Sequence, residues 1–189
     1  MVRIPDDLNG KYSEQEVVEV TTAVVDSPEN EQAQAWWFLD TLVVEHRCAP
    51  GMDTVVLEMT LPAGSSPPLH IHDDLDDTWY ILDGQMVVRC GDEELVVGSG
   101  HWVSMPRGVP HTFRVVGEEE ARILLVHDNA SFRDLIRDLS SPAAARVVPT
   151  QPLFPPMEEL ARIAASHDLR PVGPPMSVEE SDHVRAAVR

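Results

Sequence analysis

Two histidines one residue apart, His70 and His72, carry the strongest chemical signal in this chain. Side chains at i and i+2 of an extended strand point to the same face. Both imidazoles therefore look into one interior. Asp77 follows after a short acidic loop, at the mouth of the next strand. His111 follows the turn Pro106-Arg107-Gly108-Val109-Pro110 and opens another strand. Three neutral imidazoles and one carboxylate converging on a point make a ligand set for a divalent transition metal. Bonds would be roughly 2.0–2.2 Å long, with one or two coordination positions left open. Fe, Mn, Ni, Zn and Cu all accept imidazole with carboxylate, so the set does not select among them. The competing reading is a metal-free interior in which the histidines only make hydrogen bonds.

These residues need strands to hold them. Between residues 34 and 128 apolar and β-branched runs alternate with turns every 8–12 residues or so, the rhythm of a sandwich or barrel. Strands are expected at Trp36–Glu45, Thr54–Leu61, His70–His72, Thr78–Leu82, Gln85–Cys90, Glu94–Val97, Trp102–Met105, His111–Val116 and Ala121–His127. Asp83-Gly84 between two apolar runs is a hairpin signal, and Pro62 to Pro68 reads as a stiff loop. No helix-length segment separates these strands. Parallel crossovers are excluded and the sheets should be antiparallel. The fold class is thus all-β, an antiparallel double sheet, with a short helical C-terminal extension.

Two other regions flank this domain. Residues 1–33 form a polar, acidic N-terminal extension with one apolar patch, Val17 to Val25. Residues 129–189 are rich in Pro, Ala and Arg. Within them Phe132, Leu135, Ile136 and Leu139 recur at helical spacing behind Ser131, a candidate cap. Pro155-Pro156 precedes a second helix with Met157, Leu160, Ile163 and Ala164 on one face. Ser177 and Glu180 have capping-box spacing for a third. Such short stripes are expected to pack on the barrel or on a partner subunit.

Composition narrows the function. The 189 residues include 14 Lys+Arg against 32 Asp+Glu, a formal charge of −18. A surface this acidic repels phosphate backbones and anionic lipid, so neither nucleic acid nor membrane is an expected partner. No apolar run reaches the roughly 18 residues of a spanning helix, and the first residues show no apolar export core. A cytoplasmic location is expected. Cys48 and Cys90 make neither a disulfide framework nor a CxxC pair. GxSxG, Walker and GxGxxG motifs are absent.

The spacing of the chemical residues resembles a known family. Gly64, His70, His72, Asp77 and Gly84 fit G-x5-H-x-H-x4-E-x6-G, and Gly100, Pro106, Gly108, His111 and Val115 fit G-x5-P-x-G-x2-H-x3-N. This is the double signature of the cupins, which are jelly-roll β-barrels. Every spacing agrees and two letters differ. With Trp37-Phe38-Leu39, Pro67-Pro68-Leu69 and the Ser131-Phe132 helix, the chain is similar to single-domain bacterial cupins described as quercetin 2,3-dioxygenase-like. The resemblance implies one divalent metal held by His70, His72 and His111, with Asp77 as ligand and candidate base. It also implies dioxygen chemistry on an aromatic or enolisable small-molecule substrate. A homodimer is expected.

The two departures bear on the site. Asp77 stands where the signature has Glu, and its oxygens reach roughly 1.5 Å less far. It can ligate after a backbone shift, ligate through water, or serve only as base. Val115 replaces Asn and shares a face with His111 and Phe113, which makes the pocket floor drier. Trp79 and Ile81 share the face of Asp77, so Trp79, Ile81, Phe113 and Val115 are expected to line the substrate pocket. His127 is a candidate to support a ligand. Asp73, Asp74 and Asp76 read as a solvated loop. Two rival functions remain: a non-redox metal isomerase or cyclase, and a non-catalytic binding barrel.

Overall fold

The computed structural model describes residues 34–49 and 51–187. The N-terminal extension with its Val17–Val25 patch lies outside the described residues. Strands run in the order β1 (Ala35–Phe38), β2 (Thr41–His46), β3 (Val55–Leu61), β4 (Pro68–His72), β5 (Asp77–Asp83), β6 (Gln85–Cys90), β7 (Glu93–Gly98), β8 (Trp102–Met105), β9 (His111–Val115) and β10 (Ala121–His127). The chain continues through α1 (Ser131–Leu139), β11 (Ser140–Pro142), α2 (Met157–Ala165), β12 (Leu169–Pro175) and α3 (Val178–Ala187).

Two antiparallel sheets result. One has seven strands in the order β11-β1-β2-β3-β10-β5-β8, the other five in the order β12-β4-β9-β6-β7. This is the expected jelly-roll double sheet with a helical C-terminal part. Alternation drives it. In β3, every second residue from Val55 to Leu61 is buried, which sends one face inward and the other to solvent. The inward faces meet in a core that includes Val43, Leu57, Ile81, Met86, Met105, Val115 and Ile123. The Asp83-Gly84 hairpin forms as expected. Gly84 has φ 82°, and a Cβ there would meet the Ala121 Cα at 2.7 Å. Only glycine accommodates both conditions.

Three expectations are corrected. The segment Trp36–Glu45 is a hairpin, β1 paired to β2, and not one strand. Its turn uses Leu39 at φ 56°, a residue type with no turn preference. Ser131 does not cap α1. It is the first helical residue, its N–H donates to Asn129 Oδ1 (3.0 Å), and its hydroxyl donates to Asp74 Oδ2 (2.9 Å). The C-terminal region also supplies strands as well as helices. β11 pairs with β1, and β12 pairs with β4. β12 has the sequence Leu-Arg-Pro-Val-Gly-Pro-Pro, which carries no strand pattern. Its prolines are tolerated because it sits at a sheet edge, where missing N–H donors break no ladder. The capping box at α3 is formed: Ser177 N–H donates to Glu180 Oε2 (2.7 Å) and Glu180 N–H donates to Ser177 Oγ (3.2 Å).

The tail packs on the barrel. Ile136 of α1 joins the main core. Met176 and Val184 cover Val87 and Val116 on the outer side of the five-stranded sheet.

Candidate metal centre

The two sheets bring the chemical residues together from opposite sides. His70 and His72 lie on β4, and His111 on β9, where it stands directly across from His70. Asp77 opens β5 in the other sheet. The imidazole centroids are 4.5 Å apart for His70 and His111, 5.1 Å for His70 and His72, and 5.3 Å for His72 and His111. All four residues are buried. One ligand atom from each lies within 4.8 Å of every other.

Backbone carbonyls set two of the rings. His70 Nδ1 lies 2.8 Å from the Pro68 carbonyl, and His111 Nδ1 lies 2.9 Å from the Val109 carbonyl. A carbonyl only accepts, so both Nδ1 atoms carry the proton. The Nε2 lone pairs are left for a ligand, the tautomer a metal-binding histidine needs. Burial lowers the pKa of His70 to about 4, helped by the nearby His111. Burial lowers that of His72 to about 3, against the pull of Asp77. Both rings are neutral, hence able to coordinate, at ordinary pH.

Asp77 is held by one of its oxygens. Oδ1 accepts from Trp79 Nε1 at 2.6 Å and from His127 Nε2 at 2.9 Å. Oδ2 faces the histidines, 3.6 Å from His111 Nε2 and 3.9 Å from His72 Nε2. Burial alone would raise the Asp77 carboxyl pKa. The imidazoles of His111, His127 and His72 outweigh burial and hold it well below the usual carboxylate range.

The donor set fits a metal ion. His111 Nε2 is buried with no hydrogen-bond partner among the described residues, a state that normally carries a desolvation penalty. Around an ion with bonds near 2.1 Å, neighbouring ligand atoms of a tetrahedron are roughly 3.4 Å apart. The separations from Oδ2 are within half an ångström of that spacing. His70, His72 and His111 through Nε2, with Asp77 through Oδ2, are the residues that would hold it.

The centre lies at the floor of a cavity of about 480 Å³. Trp79 and Phe113 stand in its wall, edge to face with centroids 5.1 Å apart. Ile81 and Val115, expected beside them, are instead fully packed in the core and do not reach the cavity surface. Strand parity gives the face of a residue but not its depth. The roof comes from the C-terminal region, through Phe132 and Leu135 of α1, Phe154, Met157 and Leu160 at α2, and Pro171 of β12. Sequence reasoning missed this roof and read the Phe132 stripe as packing alone. Phe132 stands edge-on to both His72 and His127, with centroids 5.7 and 5.6 Å away. The acidic loop is exposed at Asp73 and Asp76, as expected, and its carboxylates also find partners. Asp73 pairs with Arg170, Asp76 pairs with Arg107, and Asp74 takes the Ser131 hydroxyl.

A double-sheet barrel thus gathers three histidines and a carboxylate in its interior, a cluster that could hold a metal ion. Residues 57–127 match the cupin domain family. A stretch of 52 residues, 28% of this chain, is 33% identical to quercetin 2,3-dioxygenase of Bacillus subtilis (strain 168). Another of 74 residues, 39% of the chain, is 28% identical to an uncharacterised protein of Methanocaldococcus jannaschii. These stretches span 15% and 59% of the two relatives. Among solved structures, a predicted oxalate decarboxylase from Thermotoga maritima is 19% identical, with a TM-score of 0.46 over 52% of this chain and 94% of its own. No helix among the described residues is long and apolar enough to cross a membrane.

Proposed function

We propose that this cupin is a metal-dependent dioxygenase acting on an enolisable small molecule with an apolar, aromatic body. The observation that carries the reading is the buried cluster of His70, His72, His111 and Asp77 at the floor of an apolar cavity. The short stretch of identity to a quercetin 2,3-dioxygenase supports the same reaction type.

The lining supports the substrate class. Among the described residues it contains no Lys or Arg, while Asp40 and Asp77 are both present. Away from a metal at the floor, a carboxylate or phosphate would meet acids and no cationic side chain among the described residues. Hydroxyl groups are few and partly committed. Ser66 Oγ donates to the Phe113 carbonyl (2.6 Å) and accepts from Met176 N–H (3.1 Å), and Thr41 Oγ1 donates to Asp40 (3.0 Å). A polyol would leave most of its own hydroxyls unpaired on entry. An aromatic body instead buries apolar area against Phe113, Met59, Leu125 and the roof.

A divalent ion held here would supply Lewis acidity toward the substrate oxygen and, if redox-active, electrons toward dioxygen. The residues do the rest. The Pro68 and Val109 carbonyls hold the rings of His70 and His111 with Nε2 toward the site, and His72 presents its Nε2 beside Asp77. The ionised Asp77 offers Oδ2 to the metal or to the enol proton. The apolar side chains around the floor lower the local polarity, which strengthens charge interactions there.

The test is oxygen uptake after anaerobic reconstitution with Fe, Mn, Ni or Co, measured against a panel of flavonols and other enolisable aromatics. We expect one O₂ consumed per substrate with at least one metal. No uptake with any metal at full occupancy overturns the reading. Turnover in the strict absence of oxygen would instead assign a non-redox isomerase or cyclase.

A further inference from the structure

We infer that Trp79 and His127 are positioning residues that make Asp77 a one-oxygen ligand and compensate for its short side chain. The inference rests on the metal reading above. The geometry is specific. Both donors fall on the same oxygen, at 2.6 and 2.9 Å, and hydrogen bonds to an ionised acceptor are the strong ones. An oxygen with two donors has no lone pair left for a metal, so Asp77 cannot chelate through both oxygens. Without these donors a carboxylate on one methylene is free to rotate and turn Oδ2 away from the imidazoles. With them, Oδ2 is aimed between His72 and His111.

The clamp is built on rigid elements. Trp79 lies two residues along β5 on the same face, and His127 ends β10, the neighbouring strand of that sheet. The carboxylate accepts, so His127 donates from Nε2, and its Nδ1 is buried without a partner among the described residues. Phe132 packs edge-on against the ring, with centroids 5.6 Å apart. His127 therefore has one polar contact at the site, and that contact is Asp77.

The test is a Co²⁺ titration of the metal-free protein, reading affinity and the visible absorption of the bound ion, with thermal melting of each metal-free variant as a control for folding. His127→Phe and Trp79→Phe remove a donor and keep an aromatic ring. Each should weaken Co²⁺ binding roughly 10–100-fold and alter the absorption envelope. His127→Gln keeps an N–H donor and should recover to within about threefold of wild type. In an Asp77→Ala background, where nothing remains to position, His127→Phe should add less than about a twofold loss. Unchanged affinity in both donor-removing variants overturns the inference. So does an equal loss with Asp77 present or absent, or a failure of His127→Gln to do better than His127→Phe. Wild-type protein that takes up no Co²⁺ overturns the metal reading together with this one. Uptake that ignores His127 and Trp79 overturns only this one.

Discussion

Leu169 stands directly across from His72 in the ladder between β12 and β4. A strand from beyond the matched cupin region is thus the backbone neighbour of a candidate ligand. The pairing continues as Arg170 opposite Ile71 and Pro171 opposite His70. Asp73 N–H donates to the Asp168 carbonyl at 2.8 Å. The C-terminal region therefore closes the sheet edge that carries two of the three histidines.

Arg170 also pairs with Asp73, through contacts of 2.7 and 2.9 Å. Both side chains are well exposed, and exposed pairs contribute roughly 0–1 kcal/mol. We expect Arg170→Ala to lower stability in urea denaturation by less than about 1 kcal/mol and to leave metal affinity unmoved. A loss above about 2 kcal/mol would show that the ion pair, and not the backbone ladder, holds β12 on β4.

A metal at this centre would join the two sheets, three ligands from the five-stranded sheet and one from the seven-stranded. Binding only the folded state stabilises it by about 2.7 kcal/mol at a hundredfold excess over Kd. For a chain of this size that is a rise in Tm of roughly 5–10 °C. A thermal melt with and without metal checks this, and His111→Ala should abolish the rise. An equal rise in that variant would place the ion elsewhere.

Stability should also depend on Glu180. Its carboxylate accepts from Ser177 N–H, receives Arg89, and sits in the first turn of α3. The Ser177 backbone contact, then the Ser177 and Arg89 side chains, lower its pKa to about 2. A pKa depressed in the folded state gives stability that is present above the unfolded value, near 4.5, and lost as pH falls toward 2. The stability difference between wild type and Glu180→Gln should therefore be constant from pH 8 to about 5. It should shrink to nothing between roughly pH 4.5 and 2. Chemical denaturation across that range measures it, and a difference that persists at pH 2 would count against the cap. The carboxylate is exposed, so the effect is modest.

What the sequence made legible follows from range. His70 and His72 share a face by simple parity, and Asp77 and His111 follow by fixed spacing within β-strands, so local rules were enough. The same parity placed Trp79 beside Asp77, although nothing in the sequence said that its indole would donate to the carboxylate. Ile81 and Val115 shared the right faces but lie too deep, because depth depends on how the sheets close. The roof was illegible for a different reason. Phe154, Met157 and Leu160 reach the cavity only because β12, a proline-laden edge with no alternating pattern, brings the C-terminal region back onto β4. The acidic loop is solvated as expected, but its ion pairs were illegible because the partners, Arg107 and Arg170, are 31 and 97 residues away from Asp76 and Asp73.

Phe154 separates the roof's part in folding from its part in binding. Its side chain is 58% exposed, yet it lines the cavity. Truncating an exposed side chain costs folding little, within roughly 0.5 kcal/mol. An apolar ligand in the cavity would lose the area that Phe154 covers, about 1–2 kcal/mol or roughly 5–30-fold in affinity. The measurement is titration of metal-free protein with the neutral dye N-phenyl-1-naphthylamine, following both dye emission and quenching of tryptophan emission, to which Trp79 in the cavity wall contributes. We expect Phe154→Ala to melt with wild type and bind the dye at least fivefold more weakly. Binding that is unchanged would mean that the cavity fills from its floor and walls alone. A large loss of stability would mean that Phe154 is a packing residue whose exposure hides a structural role.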